Sequence, residues 1–189
     1  MSEPAQPSSP AAGQGAGEPA LRERWDALEQ QMRARLGPAG VSTLDEIRKR
    51  SGLEFLLAIG QGELPSPPIC HTLRFWPVEV EPGRMVFQGT PGADHYNPIG
   101  SVHGGYAATL LDSAVGCAVQ SMLPRGSGYT TLELKINFVR ALTAQTGPVR
   151  AEGKVITVGR QAATAEGRLT DSAGKLYAFA TTTCLVFEL

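Results

Sequence analysis

From Leu21 the chain reads LRERWDALEQQMRARLG, with Leu21, Trp25, Leu28, Met32 and Leu36 recurring every three or four positions among charges. That spacing predicts an amphipathic helix, and Gly37-Pro38 stops it. A second, short helix is expected in STLDEIRKR, where Ser42 or Thr43 with Glu46 offers a capping pair. A third piece, GLEFLLAIGQGELP, carries Leu53, Phe55, Leu56 and Ile59 and ends over Gly60 to Pro65. After Pro68 the apolar period drops from about 3.6 to two. HTLRFWPVEVEPGRMVFQGTP is two alternating runs around Glu81-Pro82-Gly83, a hairpin. A long apolar segment follows, up to about Met122, and LPRGSG breaks it. YTTLELKINFVR then puts Leu132, Leu134, Ile136 and Phe138 on one face and Thr131, Glu133, Lys135 and Asn137 on the other. PVRAEGKVITVGR, QAATAEGRLTD and KLYAFATTTCLVFEL continue the strand pattern, the last two joined by a turn over Asp171 to Gly174.

One long helix among a hairpin and about four further strands leaves no crossover helices, which excludes a doubly wound sheet. The predicted class is α+β: a curved antiparallel sheet wrapped around one central helix, with an N-terminal helical extension. Tyr106, Ala107, Leu110, Leu111, Ala114, Val115, Ala118 and Val119 make that helix apolar almost all round, so it should be buried. Its small residues would let the sheet approach closely. Residues 1–20, mostly Pro, Ala, Gly, Ser and Gln, cannot bury apolar surface and are expected to be a disordered tail. The chain thus divides into that tail, a helical extension over 21–68 and a main domain over 69–189, where the first helix's Trp25 stripe is expected to serve packing.

Charge changes this picture little. A formal net charge of −1 over 189 residues argues against a general nucleic-acid or anionic-membrane surface. Cys70, Cys117 and Cys184 are odd in number, far apart and in apolar surroundings, as expected of buried free thiols in a reducing compartment. No secretory signal or membrane-spanning run is evident, so the expected location is cytoplasmic. His71, His95 and His103 lack metal-ligand spacing, and no metal or other cofactor is expected.

One stretch does not fit a purely structural helix. HYNPIGSVHGGYAATLLDSAVGCAV carries His103-Gly104-Gly105 at the helix start and a lone acid, Asp112, inside the apolar run. An ionised Asp in a dry core costs several kcal/mol unless it is paired or hydrated; pointing to solvent at the sheet rim is the bland alternative. Unpaired amides at the helix start, bared by glycines, suit a developing oxyanion. Gly104 and Asp112 are eight residues apart, roughly 12 Å along a helix, so one chain cannot bring both to one carbonyl. If both act, two antiparallel helices must lie side by side in a two-fold dimer with two equivalent sites. No GxSxG elbow exists for a serine hydrolase.

NPIGSVHGGYAATLLDSAVG resembles the signature of the hotdog-fold acyl-CoA thioesterases of the PaaI type: an Asn, then HGG, then an acid eight residues after the first Gly. The resemblance runs from about Ile69 to Leu189. It implies a hotdog fold, hydrolysis of an acyl-CoA thioester to a free acid and CoA, and homodimers that pair into tetramers. It implies Asp112 as nucleophile or general base, the Gly104 amide as carbonyl polariser, and His103 and Asn97 as positioning groups. It also implies Thr131 as a hydroxyl assisting the water, with Arg140, Gly159, Arg160 and Gln161 as contacts to the CoA phosphates and adenine. Arg suits phosphate because its planar fork binds two oxygens. A hotdog dehydratase acting on an acyl thioester and a non-catalytic acyl-CoA-binding protein are the alternatives. Leu64, Pro65 and Phe55 would border the acyl pocket if the extension folds over the site.

Overall fold

The structure, a computed structural model, describes residues 18–189. The expected tail over 1–17 lies outside them, whereas its last three positions are already the first turn of helix α1, Glu18–Arg35. The extension continues with α2, Leu44–Arg48, and α3, Gly52–Gly60, and its helical character runs past the expected boundary at residue 68 into α4, Pro68–Leu73. Local chemistry starts two of these helices. Thr43 with Glu46, and Ser51 with Glu54, form reciprocal capping boxes at α2 and α3. Helix α4 replaces the expected beginning of the first strand. Pro68 is tolerated in a first helical turn, where its missing N–H is not needed. Arg74, at φ 53°, then reverses the chain in the left-handed region, and extended structure begins only at Phe75.

The main domain comprises β1 (Phe75–Glu81), β2 (Arg84–Gly89), helix α5 (Gly104–Gln120), β3 (Ser127–Phe138), β4 (Val149–Val158), β5 (Ala162–Asp171) and β6 (Leu176–Glu188). All six strands form one sheet in the order β1-β2-β4-β5-β6-β3, antiparallel at every step. The sheet wraps α5, which touches every strand. Leu110, Leu111, Ala114 and Val115 are fully buried in this contact, each large side chain among them contributing roughly 1.5–3 kcal/mol. The approach is close enough that a Cβ on Gly153 would lie 2.3 Å from the carbonyl oxygen of Ala114.

Burial of α5 is not complete, however. Gly104, Gly105, Ala108, Thr109, Asp112, Ser113 and Cys117 are only partly buried, a stripe at helical spacing along one face.

Strand β3 departs from the alternating pattern its sequence presents. Thr131 pairs with Cys184 and Glu133 with Thr183, so Leu132 is an extra residue in a bulge and is 62% exposed. A bulge shifts the side-chain phase by one. Thr131 therefore faces the helix together with Leu134 and Ile136, which pack on the core, instead of lying on the opposite face.

The extension is docked. Met32 is buried in the main core cluster. The Trp25 carbonyl accepts from Gln88 Nε2 at 2.7 Å, and the Arg150 guanidinium lies 4.2 Å over the Trp25 ring, so that stripe does serve packing. Helix α3 is tied to the turn after α5 by Gly52 N–H donating to the Leu123 carbonyl at 3.0 Å and by an Arg125–Glu54 ion pair at 2.8 Å.

Candidate active site

The loop before α5 is built by Asn97 and His95. Asn97 Oδ1 accepts from the backbone N–H groups of Ile99 and Ser101 at 3.1 and 3.2 Å, and its Nδ2 donates to Ser101 Oγ at 3.0 Å. Its carboxamide is therefore committed to the turn that contains Gly100 at φ +87°. His95 is buried; its carbonyl accepts from His103 N–H at 2.8 Å, and its Nδ1 accepts from Gly92 N–H at 3.0 Å. Its ring stacks on Tyr106 at 4.4 Å. Burial, the main cause, holds its pKa below the usual histidine range, against the pull of Asp94.

His103 caps α5 by accepting from Gly105 N–H on Nδ1 at 2.8 Å. The Gly104 N–H has no acceptor among the described residues. It borders a cavity of about 390 Å³ shared with His103, Phe138, Arg140 and Tyr177. A Cβ on Gly104 would sit 3.3 Å from the Phe138 ring, so the glycine leaves room between backbone and aromatic side chain. The Arg140 guanidinium donates to the Leu176 carbonyl at 2.7 Å and lies 5.9 Å from the Tyr177 ring.

Two turns along α5, Thr131 Oγ1 donates to Asp112 Oδ1 at 3.1 Å. Asp112 Oδ2 has no partner among the described residues. Beside them Tyr129 packs its hydroxyl where a Cβ on Gly116 would lie only 2.6 Å away, which explains the glycine. Burial raises the Cys117 thiol to about 12, with Asp112 adding to the rise, so it is a neutral thiol rather than a nucleophile at neutral pH. Among the described residues no three His, Cys, Asp or Glu side chains converge as a metal site requires, and no helix is long and apolar enough to cross a membrane.

The sequence-predicted residues thus fall into separate groups in one chain. His103, Gly104 and Arg140 share the cavity at the start of α5, with Asn97 in the loop leading to it. Asp112 and Thr131 meet further along the helix. Gly159, Arg160 and Gln161 form the β4–β5 turn and line a different depression with Pro124 and Ser127, at the opposite end of the sheet from Arg140. Phe138, Tyr177 and Tyr129 border these places without having been singled out, because each reads as an ordinary aromatic strand residue.

Residues 99–178 match the model of the thioesterase superfamily. A phenylacetic acid degradation-related protein of Ralstonia eutropha JMP134 superposes with a TM-score of 0.63 at 30% identity, covering 69% of this chain and 98% of that one. The chain belongs to the hotdog-fold thioesterase superfamily, on its PaaI-like side. The phenylacetic acid degradation protein PaaI of Thermus thermophilus, in a variant form, gives a TM-score of 0.57 at 29% identity over 62% of this chain and 97% of that one. A protein of Halobacterium salinarum proposed to be an esterase is 39% identical over 69 residues, 35% of this chain. The match spans 44% of that relative's length, less than half. Every one of these structural matches leaves part of the chain uncovered.

Proposed function

We propose that this protein hydrolyses acyl-CoA thioesters to the free acid and CoA, as a two-fold homodimer with two composite sites. The observation that carries the reading is the Thr131 hydroxyl donating to Asp112 on the half-exposed stripe of α5, beside the open edge of the sheet. That contact orients one carboxylate oxygen and leaves the other for a water. Asp112 then takes a proton from the water as it attacks the thioester carbonyl. The carbonyl oxygen, gaining charge, is met by the partner protomer's Gly104 N–H and the positive end of its helix. The C–S bond breaks, and the proton held by Asp112 passes to the leaving thiolate. No group beyond the CoA of the substrate itself enters this scheme.

In the proposed dimer two β3 edges pair antiparallel. This sets the Phe138 end of one strand beside the Ser127 end of the other, so Gly104 and Arg140 of one protomer reach the end holding Asp112 and Gly159 to Gln161 of its partner. The CoA contacts that are split within one chain become neighbours across the two-fold. Where dimers pair again, the outer face of β5 and β6, with Phe179 and Leu185 exposed, is the one α1 leaves uncovered.

The test is thiol release from acyl-CoAs by the Asp112→Asn variant. Turnover should fall by about 10³-fold or more, with circular dichroism and dimer mass unchanged. A folded dimeric variant that keeps most of its activity would exclude Asp112 as the base.

A further inference from the structure

We propose that the apolar pocket between the extension and the C-terminal half of α5 holds the acyl group, and that α3 and α4 set the length of chain accepted. This rests on the hydrolytic reading above and names its substrate class. The cavity measures about 270 Å³. Phe55 and Ile59 of α3 and Cys70 of α4 form one wall, and Met85, Phe87 and Tyr129 of the main domain form the other. Among the described residues no charged side chain lines it. A carboxylated acyl group would be desolvated there with no cation to pair it, whereas a hydrocarbon one gains from leaving water.

Its place relative to the reacting groups is fixed by α5. Cys117 lines the cavity, and Gly116, which packs on the cavity residue Tyr129, is four residues from Asp112. Cys117, the wall residue of α5 nearest in sequence, is five residues from Asp112, about 7.5 Å along the helix axis. A thioester carbonyl at Asp112 would point its acyl chain into the same protomer's cavity, while the CoA runs toward the partner's Gly104.

Size selects the occupant. An apolar cavity of about 150 Å³ accommodates benzene, so this one suits an unbranched acyl group of about eight carbons or an aryl ring on a short linker. Both share one chemistry, an uncharged apolar acyl group of middle size. The wall that limits its length belongs to the extension, which lies outside the matched family segment of residues 99–178.

The experiment measures kcat/KM by thiol release for acetyl-, butanoyl-, octanoyl-, dodecanoyl-, phenylacetyl- and succinyl-CoA. It compares the full-length protein with Phe55→Ala, which lengthens the cavity, and Cys70→Phe, which shortens it. The wild type should favour octanoyl or phenylacetyl over acetyl and succinyl by about tenfold or more, and the ratio of these two favoured substrates tells a linear occupant from an aromatic one. Phe55→Ala should raise dodecanoyl relative to octanoyl by about tenfold, and Cys70→Phe should lower octanoyl relative to butanoyl by a similar factor. Because Cys70 is fully buried, the Phe55→Ala arm decides alone if Cys70→Phe does not fold. A wild type that hydrolyses thioesters with a flat profile, or a profile unmoved in Phe55→Ala, overturns the acyl-cavity assignment and leaves hydrolysis standing. A wild type that releases thiol from none of the panel overturns both.

Discussion

The sheet has two edges, and the chain treats them differently. Strand β1 is flanked by α1, α3 and α4, its Phe75 and Trp76 are buried, and Pro77 removes one donor beside a bulge. Strand β3, twelve residues long, has no strand beyond it among the described residues, and Leu132, Phe138 and the following Val139 are exposed. A long open edge beside a stripe of small, half-buried helix residues is a template for another chain. The closed edge is completed by the protein's own extension; under the proposed function the open edge is completed by a second copy. The residues proposed to act lie on the open side, and the residues proposed to select the acyl group join the two.

The largest expected effect comes from breaking the open edge. For Gly104 of one protomer to meet Asp112 of the other, the two-fold must pass beside the midpoint of that interval, Ala108. Ala108→Arg sets two like charges face to face at the axis, while costing little in helix propensity. Sedimentation should show a folded monomer, and thioesterase activity should fall to background because each site is split. A monomer that retains activity would refute composite sites. The closed edge responds in stability instead. Met32→Ala removes a buried side chain joining α1 to the core and should cost about 2–5 kcal/mol in chemical denaturation, with the dimer intact. A cost below about 0.5 kcal/mol would mean that the extension is not part of the cooperative fold. Between the two lies the Thr131–Asp112 contact. Thr131→Val keeps the shape, loses the hydroxyl and should lower kcat about tenfold; Thr131→Ser should restore most of it, and equal rates in both variants would remove Thr131 from the site.

What could be read in advance follows the same division. Periodicity alone located α5, the hairpin and the last three strands, because burial against one helix enforces the pattern. The separation of Gly104 and Asp112 was legible because helical rise is fixed whatever surrounds it. The bulge at Leu132 was not, since TLELKI alternates perfectly and only the fit of Thr131 to Asp112 and of Leu134 to the core shifts the phase. Helix α4 was misread because HTLRF alternates too, while Pro68 and the left-handed Arg74 decide otherwise. The split between Arg140 and Gly159 to Gln161 depends on strand order, which no local pattern carries. Of the extension residues expected near the acyl group, Phe55 does line a cavity, whereas Pro65 does not and Leu64 is buried behind its walls, in a small cluster with Ile59.

The smallest effect is a pH dependence in which the two sides separate. His95, behind the HGG loop, is buried and neutral, its Nδ1 accepting from Gly92 N–H, with Asp94 and Arg74 the charged groups acting on it. Its folded pKa lies below the ordinary value of about 6.5, so the unfolded chain binds the proton more readily. The stability this contributes is present above about pH 6.5 and is lost as pH falls below it. Glu54, which caps α3 and pairs with Arg125, has its carboxyl lowered to about 2 by that pairing and by its hydrogen bonds to Ser51. Its contribution is present above about pH 4.5 and is lost as pH falls toward 2. Because the pair is exposed, it is weakened by salt. Acid should therefore loosen the loop before it loosens the cover. The hydrogen-exchange protection of His103 N–H, which donates to the His95 carbonyl, should fall as pH drops below about 6.5, and that of the α3 amides only below about pH 4.5. His95→Gln should flatten the first step and leave the second, and the reverse order of loosening would overturn this assignment of the two groups.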